Sequence, residues 1–136
     1  MKKALGLAAL LLAALFVMSQ FASEPIPAGS GQASGDLIRT VSNGETVELG
    51  DLLEEGEWTV VQFTAPWCPG CRQLEPKLQA AIQERGDIRL RTINIRDWGS
   101  PVARQHGIER IPQLWLHDGT KRVSTDTRDV TRRLEQ

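Results

Sequence analysis

The chain has only two cysteines, and they stand three apart in Trp67-Cys68-Pro69-Gly70-Cys71. A thiol pair at this spacing can serve as a structural disulfide, as half of a metal site, or as a redox dithiol. A structural disulfide usually staples distant segments, and closing so small a loop removes little entropy from the unfolded chain. Zinc needs four ligands; a second Cys-x-x-Cys is absent, so His106 and His117 would have to complete the set by coincidence. A c-type haem attachment needs histidine directly after the second cysteine, where this chain has Arg72. The context favours the redox dithiol, because the motif follows a β-type run and opens a helical pattern.

That placement has chemical consequences. A helix N-terminus presents unpaired N–H groups and the positive end of the dipole, which stabilise a thiolate at Cys68. A lowered pKa makes Cys68 the nucleophile that attacks a substrate disulfide. Cys71, one turn along, resolves the mixed disulfide. Pro69 restricts the turn and removes a donor, so Pro69-Gly70 tunes the redox poise. Trp67 is expected to shield the thiols and meet partners, and Arg72 adds positive charge beside both cysteines. Glu75 reads as a solvated helix-face residue. No organic cofactor or metal is expected, since the disulfide is itself the redox group.

These residues need a scaffold, and the pattern supplies one. Residues 59–64 (TVVQFT) are β-branched and mostly apolar, as in a central strand buried on both faces. Residues 70–84 carry Leu74, Leu78, Ala81 and Ile82 at helical spacing, with Gly86 as the stop and Pro76 as an internal kink. Residues 88–95 read as a strand. Ser100 caps a short helix over 101–106 that starts on Pro101 and ends at Gly107. Residues 113–117 and 121–125 form a hairpin about Asp118-Gly119, and 129–136 a short terminal helix. At the front, runs at 37–41 and 46–49 flank Asn43-Gly44, the signal of an N-terminal β-hairpin. Trp98 and Trp115 are expected at the core or rim, His106 and His117 as cap or surface residues, and Arg128, Arg132 and Arg133 on a solvated face. The fold class is α/β: a central mixed sheet flanked by helices, with that leading hairpin.

The stretch VVQFTAPWCPGCRQLEP resembles the active-site strand, loop and helix of the thioredoxin-like superfamily, with Pro76 where those proteins carry the helix-kinking proline. His106-Gly107-Ile108-Glu109-Arg110-Ile111-Pro112-Gln113-Leu114 resembles the family's cis-proline segment. The resemblance runs from about residue 36 to the C-terminus. It implies a thioredoxin fold, a cis Ile111–Pro112 bond lying against the cysteines, and an Ile111 backbone that binds extended substrate as an added strand. The leading hairpin also resembles the extracytoplasmic TlpA/ResA branch, without that branch's insertion after the active-site helix. Gln62 departs from the pattern: it stands where thioredoxin carries a buried acid, and the acid's usual lysine partner aligns near Thr92. Acid and lysine have been lost together, as expected of a coupled buried pair. A glycine expected in the last strand region is absent as well.

The rest of the chain sets the compartment. Met1-Lys2-Lys3 precedes a charge-free apolar run over 4–18, the pattern of a signal peptide or, read to residue 22, an uncleaved membrane anchor. Residues 23–35 (SEPIPAGSGQASG) read as a flexible linker, leaving 36–136 as one thioredoxin-like domain. Net charge is −1, without the basic face that a nucleic-acid partner requires. The expected protein is a monomeric thiol–disulfide oxidoreductase, periplasmic or on the outer face of the plasma membrane. It exchanges its dithiol with protein substrates as a reductase, supplied with electrons by a membrane redox partner. The rival readings are a thioredoxin-fold binding module with incidental cysteines and a metallochaperone using Cys68, Cys71 and a histidine.

Overall fold

The computed structural model describes residues 37–136; the expected signal or anchor over 1–22 and the linker over 23–35 lie outside the described residues. Strand β1 (Ile38–Asn43) leads through a 3-10 turn (Leu49–Leu52) to β2 (Trp58–Thr64). Helix α1 (Pro69–Arg85), β3 (Ile88–Asn94) and α2 (Pro101–His106) follow. The chain closes with β4 (Gln113–Asp118), β5 (Lys121–Ser124) and α3 (Thr127–Leu134). The sheet order is β1-β3-β2-β4-β5. β3 runs parallel to both β1 and β2, whereas β4 runs antiparallel to β2 and β5.

β2 is central because it is apolar on both faces. Val61 and Phe63 point into one cluster with Ile93, Ile95, Val102, Trp115 and both cysteines. Val60 points into the other, with Leu78 and Ile82 of α1 and Val130 and Leu134 of α3. Burying each such side chain stabilises the fold by about 1.5–3 kcal/mol before entropy is counted. The sheet therefore has a helix-covered core on each side, and the dithiol joins the core that also holds Trp115.

The helix boundaries follow the sequence signals. Ser100 Oγ accepts from the Ala103 N–H at 3.3 Å, and Gly107 ends α2 in the left-handed region at φ 61°. α1 runs continuously through Pro76, which denies the Arg72 carbonyl its helical donor. α3 starts two residues earlier than the pattern indicates, because the Asp126 carboxylate accepts from the Asp129 N–H at 2.9 Å and caps it.

The N-terminal β-hairpin does not form. Asn43-Gly44 does turn, with Gly44 at φ 109°, but no antiparallel strand returns over 46–49, and β1 pairs in parallel with β3. The backbone of that segment is satisfied by α2 instead. The Val47 N–H donates to Gln105 Oε1 at 2.8 Å, and its carbonyl lies 3.0 Å from His106 Nε2. Two side chains more than fifty residues away thus take the bonds a neighbouring strand would have made.

Candidate active site

The dithiol lies where β2 gives way to α1. Cys68 is the N-cap of α1 with extended backbone, and Pro69 occupies the first helical turn. The two cysteines are joined as a disulfide, with Cα atoms 5.3 Å apart. The Cys71 N–H donates to Cys68 Sγ at 3.1 Å. An N-cap position normally holds an oxygen acceptor for the orphan donors of the first turn. Here sulfur takes that role, so a charge on Cys68 Sγ would meet an aimed N–H and the helix dipole together. Exposure separates the two sulfurs: Cys68 is 5% exposed and Cys71 1%, which leaves Cys68 the one an incoming group reaches first.

The Ile111–Pro112 peptide is cis. Pro112 packs on the first turn of α1, since a Cβ placed on Gly70 would lie 3.3 Å from Pro112 Cδ. Ile111, half-buried, packs on the cluster that holds both cysteines. Residues forty apart in the sequence thereby frame one disulfide. Thr127, which carried no sequence signal beyond its place after the α3 cap, holds the cis-proline segment from behind. Its hydroxyl accepts from the Leu114 N–H at 3.1 Å and lies 3.4 Å from the Pro112 carbonyl, to which it donates.

Trp67 is 47% exposed beside the disulfide. Its indole N–H donates to the carbonyl of Arg96, a residue held in the left-handed region at φ 60°. Trp98, 48% exposed, meets the Trp67 ring edge-on with centroids 5.5 Å apart. Trp98 is therefore a surface partner of Trp67, whereas Trp115 belongs to the core at 6% exposure. Pro69, Gly70 and Arg72 are exposed on the same helical turn.

Gln62 is fully buried on β2 and pairs in register with Thr92 of β3. Thr92 Oγ1 donates to Gln62 Oε1 at 3.3 Å. The Gln62 Nε2 has no partner among the described residues. Glu75 is half-buried rather than fully solvated. It accepts from Gln79 Nε2 at 3.3 Å and lines a cavity of about 350 Å³ with Arg72, Thr92 and Asn94.

Both histidines are more enclosed than cap or surface residues. The His106 ring stacks near Phe63 and Trp115, with centroids at 5.7 and 5.9 Å. His117 is 2% exposed, and burial together with the nearby Arg122 charge holds its pKa below the usual histidine value. Arg132 and Arg133 are exposed but not free, since both pair with Asp129 and hold its carboxyl down to about 2. Among the described residues no three His, Cys, Asp or Glu side chains are grouped to hold a metal ion.

A mixed sheet whose central strand delivers Cys-x-x-Cys to a helix start, faced by a cis-proline, defines a thiol–disulfide oxidoreductase. The family model Thioredoxin matches residues 46–135, and the chain belongs to the thioredoxin family. It is 35% identical over 75 residues to the thioredoxin of Streptomyces clavuligerus, covering 55% of this chain and 69% of that one. It is 28% identical over 108 residues to the protein disulfide-isomerase of Drosophila melanogaster, covering 76% of this chain and 21% of the isomerase. Among solved structures, spinach chloroplast thioredoxin f superposes with a TM-score of 0.57 at 13% identity, over 82% of this chain and 99% of that one. The complex of ferredoxin:thioredoxin reductase with thioredoxin f2 gives 0.60 at 16% identity, over 74% and 94%. The protein is a protein-disulfide oxidoreductase of thioredoxin fold.

Proposed function

We propose that the chain reduces protein disulfides outside the cytoplasm, with Cys68 as nucleophile and Cys71 as resolving thiol. The observation that carries the division of labour is the Cys71 N–H aimed at Cys68 Sγ at the start of α1, with Cys71 the more buried sulfur. The reduced Cys68 thiolate attacks one sulfur of a substrate disulfide. One S–S bond forms, the substrate S–S bond breaks, and a substrate thiolate leaves. Cys71 then gives up its proton and attacks Cys68 Sγ; the second substrate thiolate leaves, and Cys68–Cys71 is oxidised by the two electrons the substrate has gained.

Trp67, Pro69, Gly70 and Pro112 shape the approach, and the Ile111 backbone holds the substrate segment extended alongside. The apolar run after Lys2 and Lys3 is what supports export. In an oxidising compartment a reductase needs a steady electron source, and a membrane redox partner delivering electrons to Cys68–Cys71 fills that need. A thioredoxin solved with a thioredoxin reductase gives a precedent for such docking. The chain acts as a monomer.

The test has two arms. Cys71→Ser should accumulate mixed disulfides with protein substrates, and Cys68→Ser should accumulate none; the reverse pattern would exchange the two roles. Equilibrating the pair against glutathione should give a potential near the reducing end of the fold's range, around −270 mV. A value near −120 mV would make the protein an oxidant instead.

A further inference from the structure

Most arginines of the described domain have an engaged head group. Arg85 pairs with Asp87, Arg89 with Glu54 and Glu57, and Arg132 and Arg133 with Asp129. Arg122 lies over the Trp115 ring at 4.0 Å. Arg110 and Arg128, like Arg39 and Arg72, are exposed and have no ion pair or ring contact among the described residues. Arg110 and Arg128 line the same cavity of about 460 Å³, together with Pro112, Gln113, Thr125, Asp126 and Thr127. Both arginines thus border one hollow that also takes in the cis-proline. The one carboxylate in the lining, Asp126, caps α3 through a single oxygen and keeps its charge, so the lining carries two positive charges against one negative.

We propose that this hollow selects substrates carrying an aspartate or glutamate within a few residues of the cysteine under attack. The inference rests on the reductase reading above and names the substrate class for the same site. A substrate strand lying along Ile111 passes Pro112 and Gln113, so a neighbouring side chain enters the hollow between Arg110 and Arg128. A carboxylate there meets a planar fork suited to bidentate pairing. The net charge of the whole chain is slightly negative, so the attraction is local to this cleft and the recognition is by position rather than by bulk charge.

The experiment uses the full chain, reduced, and three peptides that differ only in the residue beside a cysteine held in a disulfide with a chromophoric thiol: Glu, Gln or Lys. Second-order exchange rates are read by stopped flow at low and high salt. The Glu peptide should react about tenfold faster than the Gln peptide at low ionic strength, with the Lys peptide slowest and the spread narrowing in salt. In the double variant Arg110→Gln/Arg128→Gln the Glu-to-Gln ratio should fall to near one, and in Arg110→Lys/Arg128→Lys, which keeps the charge but loses the fork, it should fall to an intermediate value. A general loss of structure slows all three peptides alike and leaves the ratio standing, which overturns the assignment to these two arginines. Equal rates for the three peptides in the parent overturn the inference while leaving the reductase reading intact. No exchange with any peptide overturns both.

Discussion

Thr92 Oγ1 donates to Gln62 Oε1 at 3.3 Å across the β2–β3 ladder, with both side chains buried. Where the family pattern places an acid and a lysine, this protein has a neutral hydrogen-bonded pair. A glutamine cannot titrate, so this position offers no proton to the dithiol.

Gln62→Glu should create a buried acid with a raised pKa, because burial disfavours its charged form. A folded pKa above the unfolded value of about 4.3 means the variant's deficit grows as pH rises past that value and levels off at the folded pKa. We expect a loss of about 1–3 kcal/mol near neutral pH. Adding Thr92→Lys should recover part of it, giving a non-additive double-mutant cycle. Urea midpoints from about pH 5 to 8.5 measure both effects; purely additive losses would mean that the two side chains do not meet.

His117 sits between Thr59 of β2 and Arg122 of β5 in the ladder. Its depressed pKa means the unfolded chain binds a proton that the fold resists. Stability should be full above the unfolded value of about 6.5 and decline as pH falls from there toward the folded pKa. In His117→Leu the slope of the denaturation midpoint against pH should flatten over that window. An unchanged slope would assign the acid sensitivity to other groups.

Thr127→Val removes the hydroxyl that satisfies the Leu114 N–H and reaches the Pro112 carbonyl. A loss of about 1–3 kcal/mol is expected from the orphaned donor, and Thr127→Ser should retain most of the stability. Thermal unfolding of the three proteins decides the point; a loss in Thr127→Ser with none in Thr127→Val would point to the methyl group rather than the hydroxyl.

Trp67→Phe keeps a ring beside the disulfide but loses the indole bond to the Arg96 carbonyl. Stability should fall by only about 0.5–1.5 kcal/mol. Exchange with protein substrates should slow more than exchange with a small disulfide, because the exposed Trp67–Trp98 pair offers contact area that only a large partner uses. Equal slowing of both substrate types would reduce Trp67 to a packing role.

The elements that carry the chemistry were legible because local signals and long-range packing agree there. The apolar run of β2, the Cys-x-x-Cys turn and the helical spacing of Leu74, Leu78 and Ile82 each point to the same strand–loop–helix. Ile111-Pro112 was legible only through resemblance, since nothing local says which peptide is cis. The leading hairpin misled because Asn43-Gly44 makes a true turn, while the fate of the following backbone depends on Gln105 and His106, far along the chain. The burial of His117 and Trp115 depends on sheet register and the exposure of Trp98 on its meeting with Trp67, neither of which composition encodes. The hollow between Arg110 and Arg128 exists only once β4 and α3 are laid side by side.

The contact between Gly70 and Pro112 also bears on how such a protein diversifies. Residue 69 is exposed, whereas a Cβ at residue 70 would already press on the proline ring, 3.3 Å from Pro112 Cδ. The two positions between the cysteines are therefore unequal as raw material for selection. A lineage can try many side chains at position 69, whereas a change at position 70 requires the Pro112 ring to give way slightly. Adjustment of the redox character by single substitutions is channelled through one residue, and a library randomised at both positions should return survivors that vary mainly at the first.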